Sequence, residues 1–204
     1  MTRIKFCGLV RPEDVDAVNR VKPDFAGFVV DVPRSRRNVS VETLRALRAR
    51  LDAAVRPVGV FVDSPPERVA ALLRDGTLYA AQLHGREDAA YVAALRRLAP
   101  GAVVWQAFRL HTAADAAAAA ASPADMVLLD GGAGEGRTFP WELAEGFPRP
   151  FLLAGGLTAE NLPAAIRRLR PWGVDLSSGL ETHGRKDFEK MLAAAAAVRT
   201  EDAT

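Results

Sequence analysis

Short runs of Val, Ile, Leu and Phe alternate along the chain with stretches whose apolar residues recur at helical spacing. The runs predict eight strands, over residues 4–7, 25–30, 58–62, 79–83, 103–107, 126–130, 151–154 and 174–176. The amphipathic stretches predict helices over 12–20, 41–51, 66–74, 87–98, 113–121, 159–169 and 188–198, with a short piece over 141–144. Several starts carry their own signal. Ser40 stands before Glu42 and Thr43 as a cap, Pro66 falls where a first helical turn tolerates proline, and Thr158-Ala159-Glu160 reads as a capped entry. The alanine tract over 116–121 is a plain helix that Ser122-Pro123 ends.

Eight strand-then-helix units fit into 204 residues with no long insert and no composition break that could be a linker. That pattern predicts one domain over residues 1–204, a (β/α)8 barrel of parallel strands. An open doubly wound sheet would have fewer strands, and a dinucleotide binder would carry Gly-x-Gly-x-x-Gly after its first strand. This chain has Cys7-Gly8-Leu9-Val10 there.

Charge and composition remove several partners. Basic and acidic residues nearly cancel, 27 against 25, and the arginines are scattered over helix faces, so nucleic acid is not expected as a partner despite a pI near 9.0. The segment Met1-Thr2-Arg3-Ile4-Lys5 leads directly into a strand without a signal-peptide pattern, and no apolar run reaches the roughly 18 residues of a membrane span, which predicts a cytoplasmic protein with no membrane partner. A single cysteine excludes an intramolecular disulfide and a cysteine-cluster zinc site. His84, His111 and His183 lack the spacing of a helical ligand pair, so no metal is expected.

In a barrel of this class the chemistry gathers where strands end. The first predicted strand ends in Cys7, the second leads to Ser35-Arg36-Arg37-Asn38, the fourth ends Gln82-Leu83-His84-Gly85 and the sixth ends in Asp130. The seventh and eighth lead to Gly155-Gly156 and Ser177-Ser178-Gly179. Each of these has a bland reading: Cys7 as a small packed hydrophobe, Asp130 as a turn former, the glycine pairs as tight turns. Together, the last two loops form a phosphate cup, where backbone N–H groups can approach an anion closely. Cys7 and Asp130 then become candidates for a general base and a general acid across one mouth. Lys5, two residues before Cys7, shares its face of the strand and would favour the thiolate.

These residues resemble the phosphoribosylanthranilate isomerase family, single-domain barrels of tryptophan biosynthesis. The resemblance runs from end to end, through Lys5-Phe6-Cys7-Gly8, Gly59-Val60-Phe61, Gln82-Leu83-His84-Gly85, Leu128-Leu129-Asp130, Leu153-Ala154-Gly155-Gly156-Leu157 with Asn161-Leu162, and Val174-Asp175-Leu176-Ser177-Ser178-Gly179-Leu180-Glu181. It implies an Amadori rearrangement of N-(5-phosphoribosyl)anthranilate, a small-molecule substrate, without cofactor or metal, by a monomer or homodimer. It also implies that Cys7 is the base and Asp130 the acid. Gly155, Gly156, Ser177, Ser178 and Gly179 would bind phosphate, and Lys5, His84, Gly85 and Asp175 would lie near the substrate.

The resemblance further implies an arginine that grips the substrate carboxylate, in a Ser-Pro-Arg element that reads Ser35-Arg36-Arg37 here. Arg37 is the expected residue and Arg36 the alternative. Two other departures are the short loop Gly131-Gly132-Ala133-Gly134-Glu135-Gly136 before Phe139-Pro140-Trp141, and His183-Gly184 where the family often has a proline before the glycine. The related histidine-pathway sugar isomerase would carry an aspartate on the first strand, and Cys7 argues against it. A non-catalytic phosphate binder would need the cup but not Cys7 and Asp130 together.

Overall fold

The computed structural model describes residues 1–131 and 140–203. Eight parallel strands form the frame: β1 (Arg3–Cys7), β2 (Phe25–Val30), β3 (Arg56–Phe61), β4 (Ala80–Leu83), β5 (Val103–Arg109), β6 (Met126–Asp130), β7 (Phe151–Leu153) and β8 (Gly173–Leu176). Each pairs with the next, and β1 pairs with both β2 and β8, so the sheet closes on itself. Among the described residues seven α-helices accompany them: α1 (Pro12–Val21), α2 (Val41–Arg50), α3 (Pro66–Arg74), α4 (Ala89–Leu98), α5 (Ala113–Ala120), α6 (Leu162–Leu169) and α7 (Phe188–Glu201). The piece after β6 is a single 3-10 turn, Trp141–Ala144. The loop residues 132–136 and Phe139 lie outside the described residues.

Strand periodicity sorts the side chains into two cores. One face of each strand, with Phe6, Phe28, Phe61, Leu83, Leu129 and Val174, packs outward against the helices. The other face points into the barrel, where Phe25, Val58, Ala80, Trp105, Leu128 and Leu152 make a second cluster. At its amino end this cluster is closed by aromatic rings. Phe25 meets Trp105 edge-on with centroids 4.9 Å apart, and Trp172 and Tyr79 pack on Phe25 at 5.8 and 6.1 Å. With that end filled, the inward residues nearest the carboxyl ends of the strands are left to face a cavity.

Two helix starts differ from expectation because a side chain turns back into a loop. α4 begins at Ala89 with Asp88 as its cap, and the Glu87 carboxylate instead accepts from the backbone N–H groups of Asp63 and Gly85 at 2.7 and 2.8 Å. α6 begins at Leu162, not at 159. The Asn161 side chain accepts from the Thr158 N–H and donates to the Gly156 carbonyl, both at 2.9 Å, and so braces the turn after β7. Two small elements were not anticipated: the strand Asn38–Val39 beside β2, and a hairpin of Glu181–Thr182 with Arg185–Lys186 after β8. No helix among the described residues is long and apolar enough to cross a membrane.

Candidate active site

A cavity of about 350 Å³ opens at the carboxyl ends of the strands. Cys7, Arg37, His84, Asp130 and Asp175 line it, together with Gly155, Gly156, Ser177, Ser178 and Gly179 from the last two loops. Sequence reasoning placed all ten at the mouth. Of the other two expected residues, Lys5 is fully buried beneath it, and Gly85 does not line it. The Gly85 N–H bonds Glu87, and a Cβ there would stand 2.5 Å from Asp63 Oδ1, so this glycine serves loop packing.

Cys7 owes its niche to the neighbouring strand. Gly27 on β2 is its register partner, and a Cβ at that glycine would lie 2.7 Å from Sγ and 3.0 Å from Lys5 Nζ. The Lys5 ammonium lies on the same face as Cys7 and is 2.9 Å from both oxygens of Asp175, its register partner on β8. Burial works against the Lys5 charge, but Asp175 and Cys7 more than offset it and hold its pKa above the ordinary value. For Cys7 the balance is reversed: burial pushes the thiol up, and the pull of Lys5 toward the thiolate only partly opposes it. The expectation that Lys5 would favour the thiolate holds for the sign of its pull and not for the net result.

Across the mouth, Asp130 ends β6 and is 8% exposed. Its Oδ2 lies 3.5 Å from Nε2 of His84, whose Nδ1 is 3.4 Å from Nε2 of Gln82. Gly155 sits close on the other side, since a Cβ there would fall 2.8 Å from Asp130 Oδ1 and 2.5 Å from the Gly131 nitrogen. Its φ of +88°, followed by +62° at Gly156, is backbone that residues with a Cβ rarely adopt. A Cβ at Gly179 would collide with the Leu157 carbonyl oxygen. The two loops therefore meet backbone to backbone at Gly179 and Leu157. The Ser177 hydroxyl donates to the Cys7 carbonyl at 3.1 Å and ties the cup to β1.

Arg37 lines the cavity with its side chain 17% exposed, whereas the Arg36 side chain is 56% exposed and stays outside. Both reach the Glu181 carboxylate, and Lys186 joins them at 3.0 Å. Arg37 and Lys186, against the cost of burial, hold the Glu181 carboxyl down from 4.5 to about 2. Arg34 and Arg109 also line the cavity and were not singled out from the sequence. The signal for Arg109 was available: it lies four residues beyond the inward Trp105, on the same face of a strand that runs to Arg109 and puts it in register with Asp130.

Among the described residues no group of three or more His, Cys, Asp or Glu side chains is placed to hold a metal ion. Residues 4–196 match the family described as N-(5'-phosphoribosyl)anthranilate (PRA) isomerase. The chain belongs to the phosphoribosylanthranilate isomerase family. Within that family, the enzyme named N-(5'-phosphoribosyl)anthranilate isomerase from Endomicrobium trichonymphae is 41% identical over 197 residues, covering 94% of this chain and 96% of the relative. The phosphoribosyl anthranilate isomerase of Thermus thermophilus superimposes with a TM-score of 0.86 at 38% identity, over 98% of this chain and 99% of that one. A further isomerase structure, at TM-score 0.86 and 31% identity over 98% of this chain and 100% of its own, holds reduced 1-(o-carboxyphenylamino)-1-deoxyribulose 5-phosphate. The isomerase match takes in every candidate residue from Lys5 to Lys186.

Proposed function

We infer that this chain is a phosphoribosylanthranilate isomerase of tryptophan biosynthesis, converting N-(5-phosphoribosyl)anthranilate to 1-(2-carboxyphenylamino)-1-deoxyribulose 5-phosphate. The observation that carries the reading is one cavity faced by a cysteine, an aspartate and two glycine- and serine-rich loops, in a chain of this family. Substrate and product each carry one phosphate and one carboxylate at opposite ends. The cup of Gly155, Gly156, Ser178 and Gly179 suits the phosphate, and Arg37 suits the carboxylate because a guanidinium can grip it with two hydrogen bonds.

The reaction then needs two proton movements. Asp130 gives a proton to the ribose ring oxygen while the C1–O bond breaks, and the nitrogen lone pair forms the C1=N bond of a protonated Schiff base. The Cys7 thiolate takes the proton from C2, and the C2–H electrons form C1=C2 as the C=N pair returns to nitrogen. The enolamine that results tautomerises to the ketone. No electrons enter or leave. Only the thiolate can act as base, so the buried thiol must first give up its proton, helped by the Lys5 charge and opposed by burial.

All assigned residues come from one chain, so a monomer suffices for this chemistry and a homodimer is compatible with it. The free thiol of Cys7 fits the reducing cytoplasm, which is where we place the reaction. The test is the decay of anthranilate fluorescence when the protein is added to freshly generated phosphoribosylanthranilate, beside a Cys7→Ala control. Rapid decay with the wild type alone is expected. No decay with folded wild type would defeat the isomerase reading.

A further inference from the structure

The proposed reading gives Arg37 the substrate carboxylate, yet in this structure Arg37 already holds a carboxylate of the protein. Arg37 Nε donates to Glu181 Oε1 at 2.7 Å and Nη2 donates to Oε2 at 3.0 Å, which occupies one edge of the guanidinium. A guanidinium has five N–H groups in one plane, and engaging the Nε and Nη2 edge leaves the edge formed by Nη1 and the second Nη2 proton. The side chain lines the cavity, so that second edge is the one a ligand can meet. Behind Arg37 stands Gly8, at φ +77°, where any Cβ would strike Arg37 Cδ. The stem is thus laid on bare backbone, and the head is locked in plane by Glu181.

Glu181 does the same for the other end of the substrate. Its Oε1 accepts from Lys186 Nζ at 3.0 Å, and that ammonium donates at 2.9 Å to the Ser177 carbonyl, in the loop that forms one wall of the phosphate cup. The Glu181 side chain is 6% exposed and that of Lys186 is 3% exposed, so both bonds are sheltered from water. One carboxylate therefore anchors an arginine at the carboxylate end and a lysine under the phosphate end. The hairpin Glu181–Thr182 with Arg185–Lys186 exists in a form that supplies both: its antiparallel register makes Glu181 and Lys186 direct partners.

We propose that Glu181 is a positioning residue for substrate binding: it holds Arg37 with one guanidinium edge turned to the substrate carboxylate and, through Lys186, fixes the Ser177 wall of the phosphate cup. It acts through Arg37 and Lys186 and touches no reacting atom. This rests on the isomerase reading above.

Steady-state kinetics on phosphoribosylanthranilate with wild type, Glu181→Gln, Arg37→Ala and the double variant test it. Glu181→Gln is expected to raise KM about ten- to a hundredfold, the worth of a charge-assisted hydrogen bond, with a smaller change in kcat. In the Arg37→Ala background the same substitution is expected to add a clearly smaller rise, because only the route through Lys186 remains. An unchanged KM in Glu181→Gln overturns the proposal, as does an undiminished effect in the Arg37→Ala background. If Glu181→Gln does not fold, Glu181→Asp, which keeps the charge but shortens the reach, is expected to raise KM with the same dependence on Arg37. Inactive wild type would defeat the isomerase reading and the proposal with it; active wild type with an unmoved KM defeats the role of Glu181 alone.

Discussion

Lys5 and Asp175 face each other across the strand pair that closes the barrel, with the ammonium 2.9 Å from both carboxylate oxygens and the lysine fully buried. Neither charge could stay there alone, because removing one partner of a buried pair leaves an uncompensated ion. Lys5→Met is therefore expected to destabilise the protein by about 3–5 kcal/mol, measured by urea unfolding. Asp175→Asn on top of it should recover part of that loss without recovering activity. A Lys5→Met variant as stable as wild type would mean that Asp175 is satisfied without it.

Cys7→Ala and Asp130→Asn are each expected to lower kcat by about a hundred- to ten-thousandfold, the usual worth of a positioned proton transfer. Both residues lie at the cavity wall, so the unfolding temperature of either variant should stay close to that of wild type. Retained turnover in one of them would remove that residue from the mechanism.

The raised thiol makes a prediction about pH. Since burial lifts Cys7 above its ordinary 9.0, the base form is the minority species at neutral pH, and kcat/KM should climb with pH into the alkaline range. Lys5 pulls the other way, so Lys5→Met should move this rise to still higher pH. A profile that is flat from neutral pH upward would show a thiolate already formed in the free enzyme.

Glu181 sets an acid limit. Its folded-state carboxyl is held at about 2 against 4.5 in the open chain. A depressed carboxyl stabilises the fold above 4.5, and that contribution is lost as pH falls toward 2. Wild type should therefore lose urea resistance through this window faster than Glu181→Gln, which has no carboxyl to titrate there. Parallel curves would place the Glu181 bonds outside the stability balance.

How far the site could be read in advance depended on where each strand stops. Cys7 and Lys5 were legible because alternation along β1 puts both inward, and Asp130 because β6 ends where its apolar run ends. Arg109 was missed because the predicted strand stops at Ala107, whereas the strand continues through Phe108 to Arg109 in register with β6. The hairpin was invisible for another reason. Its strands are two residues each, too short for any alternation, and only the turn at His183 and Gly184, with φ of +50° and +77°, carried a signal. The upward push on the Cys7 thiol was not legible at all, because it comes from burial in the folded barrel, in a niche that Gly27 of another strand leaves open.

The closing strand pair also fixes when the site can come into being. Lys5 meets Asp175, and the Cys7 carbonyl meets Ser177, across a separation of 170 residues. Synthesis delivers the amino-terminal half of the machinery first and the partners of Lys5 and Cys7 only after β8 has emerged. Until then Lys5 has no Asp175 to pair with and the Cys7 carbonyl has no Ser177. The site is therefore put together by the same strand pairing that closes the barrel.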